Sequence, residues 1–244
     1  MQKTKVFHLS TNMLGQERCR EIERNPHWSV SYITLAPEQS SHPKQRTKSD
    51  LVYILVGGVG TMVFASHRGK ISVGAGNVIS IPRMSPHQIF NEGILSLQYL
   101  AVEFPPREEN QPEEIGSFDR QFGSSLDSVA SPTQLPPRIT DCFDGSRIVY
   151  YDFEFFNLDV TFARYVLVPN QKYYPHYHRE TTEWVYVVEG GGAVQVDQGD
   201  TPFFQGDWFR IDPGEKHMFR SNDFQEPVLV RISTPKLNSQ DVHY

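Results

Sequence analysis

The sequence predicts an all-β protein built as two tandem antiparallel sandwiches or barrels. Three observations carry that prediction. From Ser29 onward short β-branched and aromatic runs recur (SVSYITLAP, LVYILVGG, GTMVFAS, KISV, NVISIP, HQIF, LSLQYLAVEF), each closed by Gly, Pro, Asn or Ser. Almost no segment carries a helical period. The same texture returns in the second half, and the two halves superpose. Val52 to Gly58 matches Val185 to Gly191 at an offset of 133, Ile33 to Gln39 matches Tyr165 to Gln171 at 132, and Gly76 to His87 matches Gly206 to His217 at 130. The small insertions fall in turns, where they are tolerated.

In chain order, residues 1–28 form an N-terminal segment with polar ERCREIERNP, for which a short edge strand around Val6 to Leu9 and a loop are expected. Residues 29–106 are the first barrel. Residues 107–146 are read as a linker, because 105–137 is rich in Pro, Glu, Ser and Gln and lacks apolar periodicity. The second barrel spans 147–235, through RIVYYDFEFF, VTFARYVLVP, EWVYVVEGG, GAVQV, DWFRI and VLVRIST, and 236–244 is a tail.

With 244 residues, 38% apolar and 21% charged, the composition is that of an ordinary globular protein. The formal charge of −6 and the lack of a basic, aromatic-interleaved cluster argue against nucleic acid and for small partners. Cys19 and Cys142 lie in different predicted units, so two buried thiols are expected rather than a disulfide framework. No run approaches the roughly 18 apolar residues of a membrane helix, and a cytoplasmic location is expected.

The chemistry concentrates in HYHRETTEWVYVVEG, from His176 to Gly190, and GDWFRIDPGEKH, from Gly206 to His217. Residues two apart in a strand project from one face roughly 7 Å apart, so His176 and His178 can share one metal. Glu183 heads the next strand, and His217 follows the turn signal Asp212-Pro213-Gly214 and can return a third imidazole. Three imidazoles and a carboxylate suit iron(II), manganese(II), nickel, copper or zinc. His-x-His, four residues, Glu, six residues, Gly, and then Gly206 with a distal Pro-Gly-x-x-His, resembles the paired motifs of the cupin superfamily. Asp212 holds that family's usual proline position, with Pro213 one place later. The resemblance, doubled by the internal repeat, implies a bicupin: two double-stranded β-helix, or jelly-roll, barrels.

In the first barrel the resemblance sets Asp50 at the place of Glu183 and His87 at the place of His217, with Asn91 following at the family's spacing. The histidine pair is replaced by Pro43 and Gln45 or by Lys44 and Arg46, according to where the gap falls. His42, Asp50 and His87 form a second candidate ligand set, which nearby cationic side chains would oppose; a degenerate barrel that stabilises its partner is the alternative.

Further candidates are Tyr174, on the face of the histidines by the two-residue period; Glu180, an acid or base on a loop; and the strand residues Arg164, Arg210 and Arg231, whose facing the period leaves open. Four protein ligands leave coordination positions for a reactant. A bicupin with iron or copper implies a dioxygenase or other oxidoreductase of a small, anionic metabolite, with dioxygen as co-substrate. With manganese, or iron without net oxidation, it implies an isomerase, decarboxylase or lyase. A non-catalytic binding bicupin is the third reading. Tandem barrels resemble a fused dimer, so a monomer or a homodimer is expected.

Overall fold

A computed structural model describes residues 1–5, 17–44, 46, 48–64, 69–104, 133–134, 137–141, 147–151, 160–169, 174–196, 199–222, 224, 226–235 and 239–244. The chain forms two compact units, one of Ser10–Leu135 and one of Met1–Leu9 with Pro136–Tyr244. In chain order the strands are β1 (Gln2–Lys5), β2 (Arg18–Arg24), β3 (Ser29–Leu35), β4 (Asp50–Gly57), β5 (Val59–Phe64), β6 (Lys70–Gly74), β7 (Val78–Ile81), β8 (His87–Phe90), β9 (Leu97–Phe104) and β10 (Thr133–Gln134). They continue with β11 (Pro137–Asp141), β12 (Arg147–Tyr151), β13 (Thr161–Val166), β14 (Tyr177–His178), β15 (Thr182–Glu189), β16 (Gly191–Val196), β17 (Gly199–Phe204), β18 (Asp207–Ile211), β19 (His217–Ser221), β20 (Val228–Thr234) and β21 (Val242–His243). Among the described residues the one helical element is a 3-10 turn at Ser239–Asp241. The expected all-β jelly-roll class is therefore observed.

In the unit Ser10–Leu135 a sheet of order β10-β7-β4-β9-β3-β2 faces a second of order β6-β5-β8. Alternate side chains Leu51, Tyr53, Leu55, Leu97 and Tyr99 pack with Met62, Phe64, Val73 and Ile89 from the opposing sheet. Each such fully buried side chain contributes about 1.5–3 kcal/mol. The other face is buried as well, at Val52, Ile54, Leu100 and Val102. Burial on both faces explains why LVYILV is an unbroken apolar run rather than an alternating one.

The second unit repeats this order. Strands β18-β15-β20-β13 take the places of β7-β4-β9-β3, and β17-β16-β19 those of β6-β5-β8. Val185, Val187, Phe203, Phe209 and Leu229 form its interior. Its outer edge is completed by β1, which pairs with β18 from Gln2↔Arg210 to Lys5↔Asp207. The N-terminal strand thus lies at 2–5; the anticipated one at Val6 to Leu9 falls outside the described residues. The polar run expected to be loop is instead an edge strand, β2, paired with β3. Within the expected linker, β10 joins the first unit's sheet and β11 pairs with β12; residues 105–132 fall outside the described set, as does Cys142. Cys19 is exposed on β2, not buried.

Strand pairing also corrects the repeat. Leu51 pairs with Ile81 as Glu183 pairs with Ile211, and the bulges at Leu55/Gly57 and Val187/Glu189 coincide. The offset along β4 and β15 is therefore 132, not 133. Leu51, not Asp50, holds the place of Glu183. The error arose because two apolar β-branched runs match nearly as well when slipped by one residue, whereas register is decided by which face is buried.

Candidate metal centre

The two ligand segments are stitched together by the backbone. His176 and His217 exchange both hydrogen bonds, at 3.0 and 2.8 Å, and the N–H of Gly214 donates to the carbonyl of His178 at 2.6 Å. Gly214 has φ +83°, the left-handed conformation that glycine adopts without strain, so the Asp212-Pro213-Gly214 turn both ends β18 and delivers His217 to the centre. Glu183 points inward from β15, on the same face as Val185 and Val187.

These four side chains converge. Each of His176, His178, Glu183 and His217 offers a ligand atom, and all four atoms lie within 4.8 Å of one another. Glu183 Oε2 is 3.1 Å from His217 Nε2, and Oε1 is 3.2 Å from His178 Nε2. Neighbouring ligands of an ion bound at about 2.1 Å stand roughly 3 Å apart, so the spacing fits a coordination shell. His178, Glu183 and His217 are 1–2% exposed, while His176 sits at the more open side.

Ring orientation agrees. His176 Nδ1 faces the carbonyl of Tyr174 at 3.3 Å and His217 Nδ1 that of Glu215 at 3.0 Å. A carbonyl only accepts, so both Nδ1 atoms donate and the neutral rings present their Nε2 lone pairs inward. For His217 that lone pair faces a carboxylate oxygen, a repulsive arrangement that a cation between them would relieve. Both ring nitrogens of His178 are buried without a hydrogen-bond partner among the described residues. The residues present therefore fit a divalent metal.

Electrostatics sets the protonation states that ligation needs. Burial pushes the His176 imidazole down to about 4, helped by His217, so it is neutral at neutral pH. Burial alone would raise the Glu183 carboxyl; the charge of Arg231, with the polar His178 and His217 rings beside it, outweighs that and holds it well below the usual carboxylate range. Arg231 Nη1 donates to Glu183 Oε1 at 2.7 Å, and its guanidinium stacks on Tyr165 at 4.6 Å.

The other sequence candidates are placed differently. Tyr174 is 67% exposed and reaches the centre only through its carbonyl, since the regular strand begins at Tyr177. Glu180 is exposed, and its backbone N–H donates to Asp241. Arg210 is 41% exposed and paired with Asp212, and Arg164 lies opposite the inward-facing Tyr165. Of the three arginines it is Arg231 that enters the site; its facing needed the register with β15, where it stands opposite Val185.

Sequence reasoning missed Asp241. Its carboxylate accepts from the backbone N–H groups of Arg179, Glu180 and Thr181 at 2.8, 3.1 and 3.2 Å. Burial opposes the ionised form, but these donors and the Thr181 hydroxyl bring the carboxyl below its ordinary value. Strand β21 follows, pairing with the ligand strand β14. A lone aspartate in a short polar tail has no local signal that could have marked it.

The first unit does not assemble His42, Asp50 and His87. His42 is exposed, and Asp50 is turned to Arg83, whose N–H and Nη2 lie 2.7 and 2.9 Å away. Lys44 bridges His87 as His176 bridges His217, which settles the gap in favour of Lys44 and Arg46 at the histidine places. Lys44 is buried against Glu17, and Arg46 pairs with Glu103 at 3.0 Å. His87 Nε2 contacts the Tyr53 hydroxyl at 2.9 Å, and burial lowers its imidazole to about 4.

With this geometry in view, the molecule falls in the class of tandem-barrel proteins carrying a three-histidine, one-glutamate cluster. Residues 163–233, within the second barrel, match the family model described as Cupin domain. The oxalate decarboxylase of Lactobacillus farciminis, in its formate complex, superposes with a TM-score of 0.69 at 14% identity, covering 97% of this chain and 87% of that one. A single-site mutant of the Bacillus subtilis oxalate decarboxylase gives 0.67 at 15% identity, covering 97% and 78%. At such identities the likeness is one of fold. No curated protein sequence matches the chain.

Proposed function

We propose that the chain is a metal-dependent bicupin enzyme acting on a small organic anion, with its active centre in the C-terminal barrel. The observation that carries this reading is the convergence of four ligand atoms within 4.8 Å, with the His176 and His217 rings turned to present Nε2. When bound, a divalent ion such as Fe(II) or Mn(II) supplies Lewis acidity and open positions for a chelating reactant, and a redox-active one can also use dioxygen.

The chain's own residues do the rest. Glu183 and the imidazoles of His176, His178 and His217 hold the ion. Arg231 cancels the charge of Glu183, so the loaded centre keeps the full charge of the ion and favours an anionic ligand such as a carboxylate, enolate or catecholate. Reactant enters on the side of His176, because His178, Glu183 and His217 are closed off from solvent.

The first reading of the reaction is oxidation by dioxygen, supported by a mixed nitrogen and oxygen ligand set suited to a redox-active ion. The second is non-oxidative decarboxylation or isomerisation, favoured by fold neighbours that are oxalate decarboxylases. Protein loaded with Fe(II) and, separately, Mn(II) is assayed with oxalate, catechols, enols and β-keto acids for dioxygen consumption and carbon dioxide release. Net dioxygen uptake selects the first reading, and carbon dioxide without net uptake selects the second. Turnover that survives His178→Ala unchanged overturns both.

A further inference from the structure

We propose that Asp241 is a positioning residue for the metal ligand His178, acting from the C-terminal tail to hold the His178 ring in the orientation that ligation requires. This rests on the metal reading above. Three observations support it. The three consecutive N–H groups that follow His178, those of Arg179, Glu180 and Thr181, all donate to the one Asp241 carboxylate. Strand β21, directly after Asp241, pairs with β14 in the register His178↔Val242 and Tyr177↔His243, and the Tyr177 and His243 rings stack with centroids 5.2 Å apart. Asp241 Oδ2 lies 3.9 Å from His178 Nδ1.

The third contact distinguishes this ligand from its neighbours. His176 and His217 turn Nδ1 to backbone carbonyls, whereas His178 turns it toward a carboxylate. At 3.9 Å the contact is electrostatic steering rather than a hydrogen bond. A carboxylate behind an imidazole fixes its tautomer and raises its basicity toward a metal, and loss of such a partner typically costs 10–100-fold in metal affinity. Asp241 therefore acts twice on His178, through the turn that carries it and through the field at its outer nitrogen.

The test uses the full chain with Mn(II) alone as probe. Affinity is measured by chelator competition for wild type, Asp241→Asn, Asp241→Ala and Asp241→Glu, together with the melting temperature of each metal-free protein and hydrogen exchange of the 179–181 amides. Asp241→Asn retains an acceptor for the turn but not the charge: an affinity loss of about tenfold at an unchanged melting temperature is expected, approaching 100-fold in Asp241→Ala with faster exchange at 179–181, and Asp241→Glu recovers most of it. Wild-type affinity in both Asp241→Asn and Asp241→Ala overturns the proposal, as does a loss that merely tracks the melting temperature. A wild type that takes up no Mn(II), Fe(II) or Zn(II) overturns the metal reading itself and this role with it, an outcome distinct from metal uptake that ignores Asp241.

Discussion

Glu183 answers to three partners: Arg231 at 2.7 Å and the Nε2 atoms of His217 and His178 at 3.1 and 3.2 Å. Removing it by Glu183→Ala leaves the Arg231 guanidinium buried opposite a void, and a broken buried pair costs about 3–5 kcal/mol. Urea denaturation of the metal-free protein should show that loss. Glu183→Gln keeps an acceptor for Arg231 and should cost less, yet abolish tight metal binding, so the pair of variants separates stability from ligation. Two imidazoles, His87 and His176, are held near 4 chiefly by burial. The unfolded chain takes up their protons near pH 6.5 and the folded chain only near 4, so stability is full above 6.5 and falls as the pH drops toward 4. Denaturation midpoints of chelator-treated protein from about pH 7.5 to about 4.5 check this; a flat profile would contradict buried neutral rings, and His87→Gln should remove part of the slope. At this scale the four ligands were legible because each lies at a fixed step from a turn or strand start. Arg231 was visible only as one of three strand arginines, since its facing depends on pairing with a strand 48 residues away.

Strands legible in the sequence were those buried on at least one face, such as β4, β9, β15 and β20. Strand β2 was not, because RCREIER sits at a sheet edge, half exposed, where charge protects against wrong pairing rather than marking a loop. The tail strand β21 is two residues long and exists through its partner β14. Close strand approach makes its own demand at Gly192 in β16: an added Cβ would stand 2.1 Å from the Arg220 carbonyl of β19 and 2.8 Å from the Phe203 ring. Because the nearest atom is backbone, β19 must shift, and Gly192→Ala should destabilise by about 1–3 kcal/mol or more. A urea midpoint equal to that of wild type would show that the β16–β19 pairing is looser than described.

Over the molecule as a whole, the two units share strand order but not chemistry. Where the second has His176, His178 and Glu183, the first has Lys44, Arg46 and Leu51, with Glu17 and Glu103 compensating the cations. Ligand charge is thus replaced by internal ion pairs, and one divalent ion per chain is expected rather than two. Metal analysis and titration count it, and a stoichiometry of two would contradict the assignment. Calorimetry should show that ion loading stabilises the unit containing Pro136–Tyr244 by about 2.7 kcal/mol at a hundredfold excess over Kd, leaving the other unit's transition in place.

The chain read alone yielded the all-β class, the tandem repeat and the residues able to bind a metal, because strand alternation, turn chemistry and ligand spacing are written over short stretches. Packing was needed for the one-residue register that puts Leu51 in the place of Glu183, for the pairing of β1 with β18, and for the seating of Arg231 and Asp241 around the ligands. Those features join positions far apart in the chain, and a long-range pairing leaves no periodic trace in either of the segments it joins.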